Sequence, residues 1–159
     1  MVLKDYTFFS YVFLATAVIL FTGHAHGAGL CDNSPNRQVC YSIVYTRTNP
    51  RDASVAACHK LIYETRVATR VAQMQPKSLA IDTCIKEFYK AIPSIQGALG
   101  GLASGNYEVL RTFINSTQLN YEVCDYVFVH YGMTNPLAKS TRHLKAIASV
   151  GAYLASLIK

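Results

Sequence analysis

The sequence has few of the residues that enzymes use for catalysis. Only 15% of its 159 residues are charged, tryptophan is absent, and the five histidines and nine acidic residues are scattered. It contains no HExxH, CxxC or G-x-S-x-G pattern, which metal and nucleophile sites commonly use. Asp82 and Glu87 lie five positions apart, so they fall on different faces of a helix and make a poor acid/base pair. We therefore predict no catalytic residue, metal or cofactor, and an enzyme of an unrecognised type is the alternative.

The sequence also lacks any block of basic residues, although its formal net charge is +6. Its lysines and arginines are not interleaved with aromatic residues, as single-stranded nucleic acid binding requires. We therefore predict no nucleic-acid partner. A diffuse positive field favours acidic partners instead, such as an anionic polysaccharide or an acidic protein surface, and acts mainly on encounter rate and retention.

The longest stretch without a charged residue lies near the N-terminus. Lys4 precedes an apolar run of 14 residues from Phe8 to Phe21, which is shorter than the roughly 20 residues that span a bilayer. The small residues of Ala25-His26-Gly27 then suit signal peptidase. We predict a signal peptide over residues 1–27 and one secreted domain over residues 28–159, with no membrane segment after cleavage; an uncleaved anchor is the alternative.

No segment alternates with period two for long, whereas apolar residues recur at intervals of three and four from Ala53 onward. This spacing indicates amphipathic helices. The first predicted helix runs from Ala53 to about Gln75, and the second ends at the Ser104-Gly105 turn. The third runs from about Asn106 to Tyr131, and the fourth begins at Pro136. Four such helices joined by short turns predict an all-α, up-and-down four-helix bundle.

Three smaller features complete this prediction. The segment from Leu30 to Pro50 has turn signals at both ends and reads as a short helical extension held by a disulfide. Pro93 lies inside the second helix and is expected to kink it. Gly97, Gly100 and Gly101 lack the spacing of a phosphate loop, so they indicate close helix packing or an early turn.

Five cysteines allow two disulfides and one free thiol, and their number alone leaves the pairing open. Cys84 and Cys124 are 40 residues apart, and their midpoint falls on the turn between the second and third helices. Two antiparallel arms of equal length would bring them level at the far end of this hairpin. If Cys31 pairs with Cys40, Cys58 remains without an intramolecular partner. It would then be a buried hydrophobic residue, the partner in an intermolecular disulfide or a reactive thiol.

Asn115-Ser116-Thr117 is an acceptor sequence for N-glycosylation, and we predict a glycan on Asn115 if that face of the third helix points to solvent. Tyrosine is abundant, with 11 residues. Exposed tyrosines suit protein recognition, but most of those after the signal peptide are expected to be half-buried residues of the bundle.

The cysteine frame and its flanking segments resemble the plant invertase and pectin methylesterase inhibitor family. The resemblance spans nearly all of residues 28–159, and its most specific feature is the 40-residue spacing. The residues that carry it are Cys31 and Cys40 around a short turn, Cys84 in CIKEFYKA, Cys124 in VCDYVF, and the segment AIASVGAYLA from Ala146.

The resemblance implies a four-helix bundle with an N-terminal helical hairpin and the disulfides Cys31–Cys40 and Cys84–Cys124. It also implies a protein that is a monomer when free and inhibits a carbohydrate-active enzyme one to one without covalent chemistry, by covering its substrate cleft. The implied location is extracellular, in the apoplast or cell wall, with the vacuole as the alternative.

The chain departs from the family pattern in ways that leave the target open between pectin methylesterase and acid invertase. Gly105-Asn106-Tyr107 stands where invertase inhibitors tend to carry Pro-Lys-Phe, and we take these three residues as the candidate target-binding residues. Phe113-Ile114-Asn115 replaces a run of small residues common in the pectin methylesterase branch. The alternative function is a non-inhibitory secreted binding or signalling module, for which a large apolar cavity between the helices would argue.

Overall fold

The computed structural model of the protein describes residues 28–159, and it has no strand within that range. The predicted all-α class is therefore confirmed, whereas the predicted signal peptide over residues 1–27 lies outside the described residues. The helices are α1 (Ala28–Cys31), α2 (Arg37–Val44), α3 (Pro50–Gln73), α4 (Leu79–Ser104), α5 (Tyr107–His130) and α6 (Ala138–Ser156). None of them is long and apolar enough to cross a membrane.

The four long helices form the predicted up-and-down bundle. Helix α4 packs against α3 and α5, and α6 closes the bundle by packing against α3 and α5 on the other side. Helices α1 and α2 form the predicted extension, which lies against α3 and α6 at one end. Each long helix buries its apolar stripe because that stripe faces the other three helices.

Local capping sets the helix bounds, and it corrects two of the predicted ones. Helix α3 begins at Pro50 rather than Ala53, because the Asn49 side chain accepts a hydrogen bond of 2.8 Å from the Arg51 amide and Pro50 suits the first turn. Helix α6 begins at Ala138 rather than Pro136. The Asn135 side chain accepts from the Leu137 amide at 2.8 Å, which holds this segment in a turn before the helix starts.

Helix α4 continues through Pro93 without a break. The proline removes one backbone donor, but the turns on both sides remain helical because their buried residues still face the core. The kink predicted at Pro93 stays a prediction.

The core is not wholly apolar, because hydroxyl groups replace alkyl groups along α3. Thr65 and Thr69 donate to the carbonyl groups of Leu61 and Thr65, one turn earlier. The Thr65 hydroxyl also lies 2.6 Å from the Tyr121 hydroxyl of α5, and burial raises the pKa of Tyr121. This hydrogen bond satisfies two polar atoms in the centre of the bundle, where an unpaired hydroxyl would be costly.

Both expected disulfides are present, and each joins buried cysteines. The Cys31–Cys40 bond ties α1 to α2, and the Cys84–Cys124 bond joins α4 to α5 near the end of the hairpin that lies away from the turn. Two equal helical arms do place these residues level, as their 40-residue separation predicted.

Glycine lets α4 and α5 approach closely at the turn end of the same hairpin. A Cβ atom on Gly101 would lie 2.8 Å from the Leu110 amide nitrogen and 2.9 Å from the Asn106 carbonyl oxygen. A Cβ atom on Gly97 would lie 2.7 Å from the Phe113 ring. The close-packing interpretation of these two glycines is therefore correct, and the hairpin is held at one end by a disulfide and at the other by backbone contact.

Gly101→Ala is expected to lower the free energy of unfolding by about 1–3 kcal/mol, because the new methyl group meets backbone atoms that cannot turn away. Gly100 is the matched control, since it lies in the same helix with open space around it. Gly100→Ala is expected to raise stability by up to about 1 kcal/mol through helix propensity alone. Urea unfolding followed by circular dichroism measures both, and equal effects of the two substitutions would contradict the close-approach interpretation.

Cys58 is unpaired and lies buried on the core face of α3. Burial raises the pKa of its thiol from the ordinary value of 9.0 to about 12. The thiol is therefore neutral and inaccessible at neutral pH, which favours the buried-hydrophobe interpretation over a reactive or intermolecular role.

At pH 8 we expect Cys58 to remain unreactive toward a thiol reagent in the folded protein and to react once the chain is unfolded. The unfolded thiol ionises near pH 9.0 and the folded one near 12, so the unfolded state loses its proton first and stability falls as the pH rises through that interval. Mass spectrometry of the unreduced, alkylated protein checks the assignment. Alkylation of Cys84 or Cys124 in place of Cys58 would overturn the assigned pairing.

Candidate protein-binding surface

The three candidate target-binding residues lie at one end of the bundle, in the turn between α4 and α5. They border an open groove of about 620 Å³, whose other wall is the end of α6. We call this the turn groove. It is lined by Ser104, Gly105, Asn106, Tyr107, Glu108 and Arg111 from the turn and α5, and by Ala155, Ser156 and Ile158 from the C-terminal end of the chain.

The candidate residues also build the turn itself. Gly105 adopts φ +70° and ends α4, while the Asn106 amide donates to the Gly101 carbonyl at 2.8 Å, a common helix termination. The Asn106 side chain then accepts from the Val109 amide at 3.1 Å and caps α5. Tyr107 is half-buried and packs against the core. These residues shape the groove. Because Asn106 caps α5 and Tyr107 packs against the core, their side chains are only partly free to contact a partner.

Two further contacts hold this end of the bundle. The Arg51 guanidinium of α3 donates to the Leu102 carbonyl at 2.7 Å, which neutralises the C-terminal end of α4. On the groove side, Arg111 pairs with Glu108 one turn earlier in α5. Both Glu108 and Arg111 are exposed, and sequence reasoning did not single them out.

A second stripe of apolar residues runs along the solvent side of α5. Val129 is 75% exposed, Tyr126 65% and Leu119 60%. We call this stripe the α5 outer face and define it by Leu119, Val123, Tyr126, Val129 and His130. Most single exposed apolar residues need no explanation, but a row of them on one helix is typical of an interaction surface.

Aromatic rings form one end of the α5 outer face. The rings of Tyr126 and His130 stack with their centroids 5.9 Å apart, and the Tyr131 ring packs edge-on to His130 at 5.0 Å. Stacked rings on a helix lose little conformational entropy on binding, so they suit a protein contact.

The prediction that most tyrosines are half-buried is wrong. The exposed tyrosines are Tyr41, Tyr45, Tyr63, Tyr89, Tyr126 and Tyr131, while Tyr107 and Tyr153 are half-buried and Tyr121 is fully buried. Tyr121 is the tyrosine that lies on a core-facing stripe, together with Leu110, Cys124 and Phe128 of α5.

The α5 outer face was missed, although the sequence carries a signal for it. Leu119, Val123, Tyr126 and His130 recur at intervals of three and four, on the side of the helix opposite the stripe through Leu110, Cys124 and Phe128. A helix of a four-helix bundle buries one apolar stripe against its neighbours, so a second, opposed stripe stays exposed to solvent.

The predicted glycosylation residue lies on this same side of α5. Asn115 is exposed and comes one turn before Leu119 and one turn after Arg111. It therefore separates the turn groove from the α5 outer face, and its exposure meets the condition set for a glycan there. Occupancy of the site stays a prediction.

The acidic residues and histidines are dispersed in the structure as in the sequence. Asp82 is exposed while Glu87 is buried and pairs with Lys90 at 2.6 Å. Asp125 accepts from Asn135 at 2.9 Å and also bonds Thr141 and Lys145, which fastens the α5–α6 connection to the bundle. Within residues 28–159 no three His, Cys, Asp or Glu side chains come together to hold a metal ion.

No family model matches the chain, and no curated protein matches it in sequence. Its structure, however, is similar to solved structures of plant inhibitors. A mutant form of a pectin methylesterase inhibitor from Arabidopsis has a TM-score of 0.69 at 15% identity, over 82% of this chain and 95% of that one. A pectin methylesterase inhibitor from Arabidopsis thaliana has a TM-score of 0.62 at 17% identity, over 83% of this chain and 95% of that one. The fold of the chain is therefore that of the pectin methylesterase inhibitors, as its cysteine frame implied.

Proposed function

We propose that this protein is a secreted inhibitor of a plant carbohydrate-active enzyme, either pectin methylesterase or acid invertase. It binds the enzyme one to one, without covalent chemistry, and covers the substrate cleft. The observation that carries the proposal is the similarity of its fold to two pectin methylesterase inhibitors over 95% of their length. The free protein is proposed to be a monomer in the apoplast or cell wall, with the vacuole as the alternative location.

We assign the target-binding surface to the α5 outer face and the adjoining turn groove. Glu108, Arg111, Leu119 and Tyr126 follow one another at helical spacing, so the groove and the apolar stripe form one continuous side of α5. From Glu108 to His130 this side is about 33 Å long at a rise of 1.5 Å per residue. An apolar, aromatic centre with a charged rim is the usual composition of a protein interface.

The packing of the core does not support a ligand carrier, which is one form of the alternative function. A carrier needs an apolar cavity between its helices, whereas large side chains such as Phe88, Tyr121 and Phe128 are fully buried in the centre of this bundle. The Phe88 and Tyr121 rings pack 6.1 Å apart. The turn groove lies at the surface, where it suits a protein partner.

A glycan on Asn115 would project from the middle of the proposed surface. The unmodified chain is therefore the form that we propose to bind the enzyme along the whole of α5. Glycosylated protein would be restricted to one part of this side, either the turn groove or the α5 outer face.

Titration against both enzymes tests the proposal. Purified protein with unmodified Asn115 is added to a plant pectin methylesterase and, separately, to an acid invertase at mildly acidic pH, with each enzyme well above the expected Kd. We expect one of the two activities to fall linearly and to reach its minimum at equimolar protein. Reduced and heat-unfolded protein is the control, and full activity of both enzymes at stoichiometric excess would reject the proposed function.

A further inference from the structure

We propose that the α3–α6 side of the bundle binds an anionic polysaccharide with a row of carboxylate groups. The charge of the protein is concentrated on this side. Helix α3 has four basic and two acidic residues, and α6 has three basic residues and no acidic one. Helix α4 is balanced, and α5 has three acidic residues and one basic one. The binding does not depend on enzyme inhibition.

The proposed surface, which we call the basic face, lies where the second half of α3 runs beside the start of α6. The His143 Nε2 atom lies 3.9 Å from a Glu64 carboxylate oxygen, so these two residues mark the same level of α6 and α3. A groove of about 180 Å³ runs between the two helices at this level, with Lys139 on one wall and Val67 on the other. The basic face consists of Lys60, Tyr63 and Arg70 of α3 with Lys139, Arg142 and His143 of α6.

Most of the charge on the basic face is free to meet a ligand. Arg70, Lys139 and Arg142 are exposed, and none of the three belongs to an ion pair within residues 28–159. Glu64 is the acidic residue at this level, and it lies 3.7 Å from Lys60 and 3.9 Å from His143. Exposed charges without partners keep their full attraction for an anion, and arginine binds carboxylates in a bidentate manner.

The arrangement fits a linear chain better than a compact anion. From Lys60 to Arg70 the charges of α3 extend over about 15 Å of helix, and they do not converge on one pocket. Tyr63 lies between them, three residues after Lys60 and seven before Arg70, with 63% of its surface exposed. An exposed aromatic ring packs against the apolar face of a sugar ring, while the flanking cations pair with its carboxylate.

Binding to polygalacturonate, measured by calorimetry over a series of NaCl concentrations, tests the proposal. Arg70→Gln/Arg142→Gln removes one charge from each helix of the basic face, and Arg37→Gln/Lys86→Gln removes the same charge from exposed positions on α2 and α4. At low salt we expect the first variant to bind about tenfold more weakly and with a smaller salt dependence. We expect the second variant to stay within about twofold of the unsubstituted protein, because its charges lie away from the basic face.

A third variant separates a sugar ligand from an acidic protein surface. Tyr63→Ala is expected to weaken binding to polygalacturonate without changing the salt dependence, and to leave weak binding to polyglutamate unchanged. Neutral dextran should not bind. Equal losses of affinity in the two charge variants would show that only net charge matters. Equal affinity for polyglutamate, with no effect of Tyr63→Ala, would assign the face to acidic proteins. Either result would overturn the proposal.

Discussion

Cys84→Ala/Cys124→Ala is expected to lower the free energy of unfolding by about 4 kcal/mol through loop closure alone, because the bond closes a 40-residue loop. Both sulfur atoms are also fully buried, so the smaller side chains add a packing loss. A domain of this size is stabilised by roughly 5–15 kcal/mol. The double substitution therefore removes a large part of the total, and urea unfolding at 25 °C measures it.

Cys31→Ala/Cys40→Ala is the matched control, since it also removes a buried disulfide. Its loop spans only nine residues, for which loop closure predicts about 3 kcal/mol. The loss should also be local, because α1 and α2 lie outside the four-helix bundle. Reduction of the unsubstituted protein separates the loss of the crosslink from the loss of side-chain volume. A smaller effect at Cys84 and Cys124 than at Cys31 and Cys40 would contradict the role assigned to the hairpin.

Tyr126→Ala is expected to weaken the proposed enzyme complex by about 30-fold or more, the effect of removing one aromatic hot spot of about 2 kcal/mol. Tyr126 lies at the aromatic end of the α5 outer face, where its ring stacks on His130. Because its side chain is 65% exposed, the substitution should change folding stability by no more than about 0.5 kcal/mol. Calorimetric titration of each variant into the free target enzyme, with no substrate present, measures the loss of affinity.

Tyr63→Ala is the control for this experiment, because Tyr63 is the same residue type with 63% exposure, on α3. Helix α3 lies diagonally across the bundle from α5, and the two are joined through the Thr65–Tyr121 hydrogen bond. We expect Tyr63→Ala to leave enzyme affinity within about twofold, as for most residues outside an interface. Equal losses from the two substitutions would remove α5 from the proposed interface while leaving the titration result, and so the proposed function, intact.

The two proposed surfaces lie on opposite sides of one bundle. The α5 outer face is apolar and its helix is net acidic, whereas α3 and α6, which carry the basic face, together have seven basic and two acidic residues. A partner on one side does not cover the other, so the protein could bind a polysaccharide through α3 and α6 while α5 contacts an enzyme. Separate variants at Tyr126 and Arg70 therefore test the two activities independently.

Much of the architecture could be predicted from the sequence. Apolar intervals of three and four located the four long helices, because each helix has to bury one stripe. The Cys84–Cys124 pairing followed from the same reasoning, since equal helical arms on either side of Gly105 leave the two cysteines level. The bounds at Pro50 and Ala138 were less predictable, because a single side-chain hydrogen bond from Asn49 or Asn135 decides them.

The surfaces depended on the tertiary structure. Sequence spacing placed the α5 outer face, but only packing shows that this second stripe is left uncovered after Phe128 and Leu110 are buried. The basic charges are scattered along the chain, and folding brings Lys139 and His143 of α6 beside Glu64 of α3 because the two helices are antiparallel neighbours. The sequence by itself determined the helices, the hairpin and its disulfide, which depend on local periodicity and chain length. Which residues remain free for partners was decided only by how the helices pack, since burial and charge proximity join residues far apart in sequence.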